Sequence, residues 1–185
     1  MNDAPRLPLL LGLAGSLREQ SYSASVLTTL ARAIEREGIA HVDIASVDLP
    51  LYNQDLDVEP RPTAVATLKQ AIDQADALLI VTPEYNHGLP GVLKNALDWA
   101  SRPMGASPLK GKRVQAVANS PAFTGGVRAL AQLHETVLSC GCHLHAGPQV
   151  VIGGVAEKIG NGQLNHAPSV EFAVNSVRAM LAHDH

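Results

Sequence analysis

The sequence predicts a parallel α/β protein: one doubly wound, five-stranded sheet with helices on both faces. Two observations predict it. Short apolar runs alternate with longer amphipathic segments along the whole chain, the pattern of repeated βα units. Aromatics make up only 3% of a chain that is 46% hydrophobic, so Leu, Val, Ile and Ala must build the core, which suits helices on a parallel sheet. The 185 residues read as one domain, 1–185, with no repeat and no low-complexity tract. A domain of this size buries roughly 70% of its unfolded surface and needs no disulfide or structural metal.

The elements follow in order. Leu9 to Ala14 is the first strand, and Ala24 to Glu37 the helix after it, with Val26, Leu27, Leu30 and Ile34 at helical spacing and Gly38 as its stop. His41 to Val47 is the second strand. A loop from Leu49 to Asp55 continues through Pro60 and Pro62 into a helix from about Thr63 to Asp73 that buries Val65, Leu68 and Ile72. Ala77 to Thr82 is the third strand; after Pro83 to Pro90 comes a helix from Gly91 to Ala100, then a Pro/Gly/Ser-rich loop. Arg113 to Asn119 is the fourth strand and Gly126 to Ser139 its helix. His143 to Ile152 contains the fifth strand, interrupted or preceded by Gly147 and Pro148, and Ser169 caps a last helix through Leu181.

Charge and cysteine usage narrow the partners. With 14 Lys and Arg against 17 Asp and Glu the net charge is −3, and no long basic block exists, so nucleic acid and anionic membranes lose their electrostatic basis. No run approaches the roughly 20 apolar residues of a membrane span. Leu7 to Ala14 is too short and too soon broken by a Gly-Ser-Leu-Arg turn for a signal peptide. Cys140 and Cys142 sit too close for an ordinary disulfide loop, so the chain reads as reduced and cytoplasmic. Together with His143 and His145 they offer four metal ligands in six residues, but a strand there parts the two pairs, and no metal is expected. His183, Asp184 and His185 read as a frayed end.

In such sheets ligands sit beyond the C-terminal strand ends, so the loops after strands one, three and four carry the chemistry. The first, Gly15 to Ser23, sets Ser16, Arg18, Ser21 and Ser23 around a helix N-terminus. Unpaired amides, hydroxyls and a guanidinium fork form an anion site there; the same residues also serve an ordinary N-cap beside a solvated Arg. The nucleotide fingerprints fail: Gly12 to Gly15 is no G-x-G-x-x-G, and Gly105 to Arg113 has one residue too many for a P-loop and ends in Arg instead of Ser/Thr. A mononucleotide phosphate without a metal fits better. In the third loop Pro83 and Pro90 brace Glu84, Tyr85 and Asn86, whose rigid backbone suits the polar edge of a planar ring, or equally a plain turn. Trp99 reads as core. In the fourth loop, Ser120 precedes Gly125 and Gly126, which allow close backbone approach to a flat ligand or make a flexible turn.

Taken together, GSLREQSYS, LPLYNQDL, TPEYNHGLPGVLKNALDWASRP and SPAFTGG resemble, in this order, the NADPH-dependent FMN reductases of flavodoxin-like fold, which include quinone and chromate reductases. The resemblance covers nearly the whole chain, and PEYN continued to LKNALDW is its most specific part. It implies non-covalent FMN, with Ser16, Arg18, Ser21 and Ser23 on the phosphate, Pro83, Glu84, Tyr85 and Asn86 bordering the isoalloxazine, and Ser120, Gly125 and Gly126 completing the ring site. Two departures stand out: Ser23 replaces the family's usual Asn, and Ala122 or Phe123 replaces a usual Gly.

The activity so implied is ping-pong hydride transfer from NADPH or NADH through FMN to a small acceptor such as a quinone, chromate, an azo compound or free flavin. No side chain need act as a catalytic acid or base. The alternatives are a flavodoxin-type electron carrier, which −3 supports only weakly because carriers use a strongly acidic docking face, and a reductase that hands reduced FMN to a monooxygenase. An open flavin site and the resemblance together imply a homodimer or homotetramer. Its contacts are expected at the loop Tyr52 to Asp55 and at Leu89, Val92, Leu93 and Leu97, which a short helix has limited room to bury.

Overall fold

The computed structural model describes residues 6–182; the C-terminal His183, Asp184 and His185 lie outside them. Strands β1 (Leu9–Ala14), β2 (His41–Ala45), β3 (Ala77–Pro83) and β4 (Arg113–Ser120) form a parallel sheet in the order β2-β1-β3-β4. The fifth strand position, next to β4, is shared by two short pieces, β5 (His143–Leu144) and β6 (Val150–Gly153). Their register against β4 steps from Arg113↔His143 to Val117↔Val150, so the chain loops out between them. Pro148 lies in that gap and has no N–H to give the ladder, which explains why the single strand read from the sequence is split.

Helices α1 (Tyr22–Arg36) and, at the chain end, one spanning Ala167–Ala182 cover one face; α2 (Thr63–Gln74), α3 (Gly91–Ala100) and α4 (Val127–Ser139) cover the other. Side chains alternate across β3: Leu78 and Ile80 join Leu93, Leu97 and Leu133, whereas Leu79 and Val81 join Val26, Leu27 and Val177. Every one of these is buried. Leu93 and Leu97 thus go into the subunit core, against the expectation that they face a partner; Leu89 and Val92 are half-buried.

Between β6 and the last helix the sequence suggests only a polar stretch. The fold puts there a short helix, α5 (Val155–Lys158), and a small hairpin, β7 (Ile159–Gly160) with β8 (Gln163–Leu164). The last helix, α6, starts before Ser169, and the His166 ring nitrogen accepts the Ser169 N–H at 3.3 Å, so His166 takes the capping role expected of Ser169.

One clamp shapes the rim. The Pro50 carbonyl accepts from Asn95 Nδ2 (3.0 Å) and from the buried Trp99 Nε1 (2.8 Å), and Asn95 Oδ1 accepts the Tyr52 N–H at 2.7 Å. Asn95 and Trp99 belong to the LKNALDW segment, so that segment's work is to hang the loop after β2 on α3. Tyr52 packs edge-on against Trp99, centroids 5.0 Å apart, on its own subunit.

Candidate active site

In each βα unit the helix starts at the C-terminal edge of the sheet, so loops one, three and four converge there. They enclose a cavity of about 200 Å³ lined by Ser16, Arg18, Ser21, Tyr22, Ser23, Pro83, Glu84, Tyr85, Asn119 and Pro121. Seven of the eleven residues expected at a cofactor site are among them. A larger cleft of about 580 Å³ lies between the far ends of α3 and α4, at the opposite edge of the sheet, and receives none of the three loops.

Loop one supplies anion donors. Ser21 is the N-cap of α1, its hydroxyl accepting the Ala24 N–H at 3.2 Å, and the amides of Tyr22 and Ser23 in that first turn have no intrahelical acceptor. The Arg18 guanidinium lies over the Tyr22 ring, 4.8 Å from its centroid, which holds the fork beside the helix end. The Ser16 hydroxyl accepts the Arg18 N–H at 3.3 Å and sits 3.1 Å from the Tyr85 hydroxyl, joining loops one and three at the cavity. Ser23 is different. It is buried at the cavity floor and bonded to Asn119, whose Nδ2 donates to Ser23 Oγ (2.9 Å) and to the Thr82 carbonyl (3.1 Å).

Loop three is a two-residue hairpin turn. Tyr85 and Gly88 exchange both backbone hydrogen bonds, and Asn86 and His87 both take positive φ (52° and 64°), which such a turn requires. This leaves Asn86 exposed at the turn, outside the cavity lining. The Glu84 carboxylate faces away from the loop: its Oε2 accepts the N–H groups of Arg128 (3.0 Å) and Ala129 (3.1 Å), capping α4, which has no cap of its own. Burial alone would raise the Glu84 carboxyl, but the N–H groups of Ala129 and Arg128, with the His87 ring beside Oε1, outweigh it and hold the pKa below the usual value.

Ser120, Gly125 and Gly126 form the wall just beyond the cavity. Ser120 Oγ accepts the Ala122 N–H (3.2 Å), and Gly125 and Gly126 adopt φ of +66° and +90°. A Cβ on Gly125 would lie 2.2 Å from Val151 and 2.9 Å from the Gly153 amide; only glycine lets this turn lie so close to β6. Sequence reasoning missed Tyr22, Asn119 and Pro121. Asn119, a polar residue at the C-terminal end of a buried strand, carried the one readable signal.

The donors fit an FMN phosphate: two hydroxyls, a guanidinium and first-turn amides, with the one carboxylate of the lining already satisfied by α4. Among the described residues no group of three His, Cys, Asp or Glu is placed to hold a metal, and no helix is long and apolar enough to cross a membrane. Burial pushes the Cys142 thiol up to about 12, with Cys140 adding to it, and burial also raises Cys140, so neither is a reactive thiolate.

Known proteins agree with this geometry. The chain is 36% identical over 154 residues to a quinone reductase of Pseudomonas putida, covering 83% of this chain and 82% of the relative. It is 46% identical over 123 residues to a 2-hydroxy-1,4-benzoquinone reductase of a Burkholderia species, covering 66% and 64%. Its fold matches the flavoenzyme NAD(P)H:(acceptor) oxidoreductase FerB of Paracoccus denitrificans with a TM-score of 0.82 and 31% identity over 95% of this chain and 96% of that one. The model of one family, NADPH-dependent FMN reductase, matches residues 8–157, a span that holds every strand end and loop just described, and the chain belongs to that family.

Proposed function

We propose that this oxidoreductase passes hydride from NAD(P)H through non-covalent FMN to a small quinone-like acceptor. The observation that carries the reading is the cavity itself, where three loops distant in sequence meet at the N-terminus of α1. Ser16, Arg18, Ser21 and the first-turn amides of α1 hold the phosphate, and the Tyr85 hydroxyl, 3.1 Å from Ser16 Oγ, joins them. The backbone of Pro83 to Asn86 borders the ring system, and the Ser120 to Gly126 turn lies against it. Bound FMN supplies two-electron hydride chemistry; the protein binds, orients and limits water, and no side chain is asked to move a proton. A quinone is the acceptor class because relatives of this chain are quinone reductases.

A second copy of the chain shields the site in a homodimer or homotetramer. Leu51 (83% exposed), Val58 (59%) and Met104 (84%) are apolar yet open, on two loops joined by Asp57 and Arg102, whose Oδ2 and Nε are 3.6 Å apart. Light scattering across a dilution series checks this; full activity per flavin at monomer mass overturns it.

Reconstitution tests the main reading. Released flavin should run as FMN, NADPH under nitrogen should bleach it, and a quinone should restore the colour, with parallel-line initial-rate patterns. Recovery of FAD, or no flavin uptake at all, overturns it.

A further inference from the structure

Nicotinamide dinucleotides arrive as polyanions, and the cavity edge offers few uncommitted cations to receive them. Carboxylates take Arg6, Arg61, Lys94, Arg102 and Arg178. Backbone carbonyls take Lys69, Lys110, Lys112, Arg113 and Lys158. Arg32 and Arg36 lie in the second half of α1, toward the opposite edge of the sheet, and Arg18 is held over Tyr22 in loop one. Of the 14 Lys and Arg, all of them within the described residues, Arg128 remains.

Its position is suited to a rim contact. Arg128 is exposed in the first turn of α4, and its own N–H is bound to the carboxylate of Glu84, a residue of the cavity lining, so its backbone abuts the cavity wall. The guanidinium points back to loop three, where Nη1 lies 2.8 Å from Nδ1 of the exposed His87. Among the described residues no carboxylate is within ion-pair distance of it, because Glu84 Oε2 is taken up by the α4 amides and Oε1 faces His87 at 3.5 Å. A guanidinium fork steadied by an imidazole at the mouth of a redox site matches the geometry of a phosphate monoester.

We propose that Arg128, positioned by His87, reads the 2′-phosphate that distinguishes NADPH from NADH. The assignment rests on the reading of the cavity as an NAD(P)H-dependent flavin site. It places the adenosine end of the nucleotide on the outer side of loop three, against the start of α4, and leaves Arg18 to the flavin phosphate.

The test uses FMN-loaded wild type, Arg128→Ala, Arg128→Lys and His87→Ala. Calorimetry compares adenosine 2′,5′-bisphosphate with 5′-AMP, and steady-state rates compare kcat/KM for NADPH and NADH. Wild type should favour the 2′-phosphorylated member of each pair by about tenfold or more, the scale of a hydrogen bond to a charged group. Arg128→Ala should bring both ratios close to one, Arg128→Lys should recover part, and His87→Ala should fall between. Alanine keeps the backbone N–H that Glu84 accepts, and thermal melts verify the fold. Ratios unchanged in Arg128→Ala, or a wild type without preference, overturn the assignment alone. A wild type that takes up no FMN and oxidises neither nucleotide overturns the underlying reading and this assignment with it.

Discussion

Asn119 at the end of β4 donates to the hydroxyl of Ser23 in the first turn of α1 at 2.9 Å, bridging 96 positions of sequence. Both side chains are about 1% exposed. Ser23 thereby ties loop one to the sheet and supports the proposed anion site from below, through its amide and its packing. Ser23→Ala should cost about 1–3 kcal/mol of stability, because the buried Asn119 amide loses both the 2.9 Å acceptor of its Nδ2 and the Ser23 hydroxyl that donates to its Oδ1 at 3.4 Å, and should weaken FMN binding less than Arg18→Ala. Urea denaturation of the apoprotein beside FMN titration measures both; the reverse ranking returns Ser23 to direct phosphate contact.

Arg18→Ala should weaken FMN binding about tenfold or more, and Arg18→Lys should recover only part of it. Tyr22→Leu should produce a smaller loss, since it removes only the ring that orients the guanidinium. Fluorescence titration with FMN distinguishes the three, and an unchanged Kd in Arg18→Ala makes Arg18 a solvated surface residue.

Two glycines should respond oppositely to alanine. Gly125→Ala places a methyl 2.2 Å from Val151 at positive φ and should destabilise the protein by about 2 kcal/mol or more. Gly91→Ala, in the first turn of α3 with nothing within 4 Å of the added carbon, should be neutral or stabilise by up to about 1 kcal/mol. Chemical denaturation of the pair reads both signs.

Glu84→Gln should uncouple part of the stability from pH. The folded pKa of Glu84 lies below its unfolded value of about 4.3, so its charged form stabilises the protein above that pH and the contribution is lost as pH falls through the folded value. The Tm gap between wild type and Glu84→Gln should therefore be widest near neutrality and close below about pH 4. A gap that is the same at every pH means the carboxylate charge does not cap α4.

Most of the sheet was legible because β3 is apolar on both faces, β4 carries a run of Val and Ala, and α3 is bounded by Pro90 and the Ser101 turn. The break in the fifth strand was half legible, since Gly147 and Pro148 mark an interruption without saying that both halves pair with β4. The seven cavity residues were legible because strand-end loops with small and hydroxyl residues leave a local signature. What Glu84 does was not: its donor partners lie 44 and 45 positions away, and no local pattern tells a carboxylate that borders a ligand from one that caps a remote helix. His166 was passed over for a similar reason, because Ser169 is the commoner capping residue type.

The clamp at Pro50 also matters to anyone redesigning this protein. Asn95 and Trp99 fix the backbone at residues 50 and 52 from the α3 side, through main-chain atoms that every replacement except proline at 52 retains. The exposed side chains that follow on the same loop, Leu51, Leu56 and Val58, take no part in holding it. Those three positions are an interchangeable cassette on a fixed mount: libraries randomised there explore new rim chemistry at little cost to folding, provided Asn95, Trp99 and the buried Asp57, which pairs with Arg61 and Arg102, are left alone.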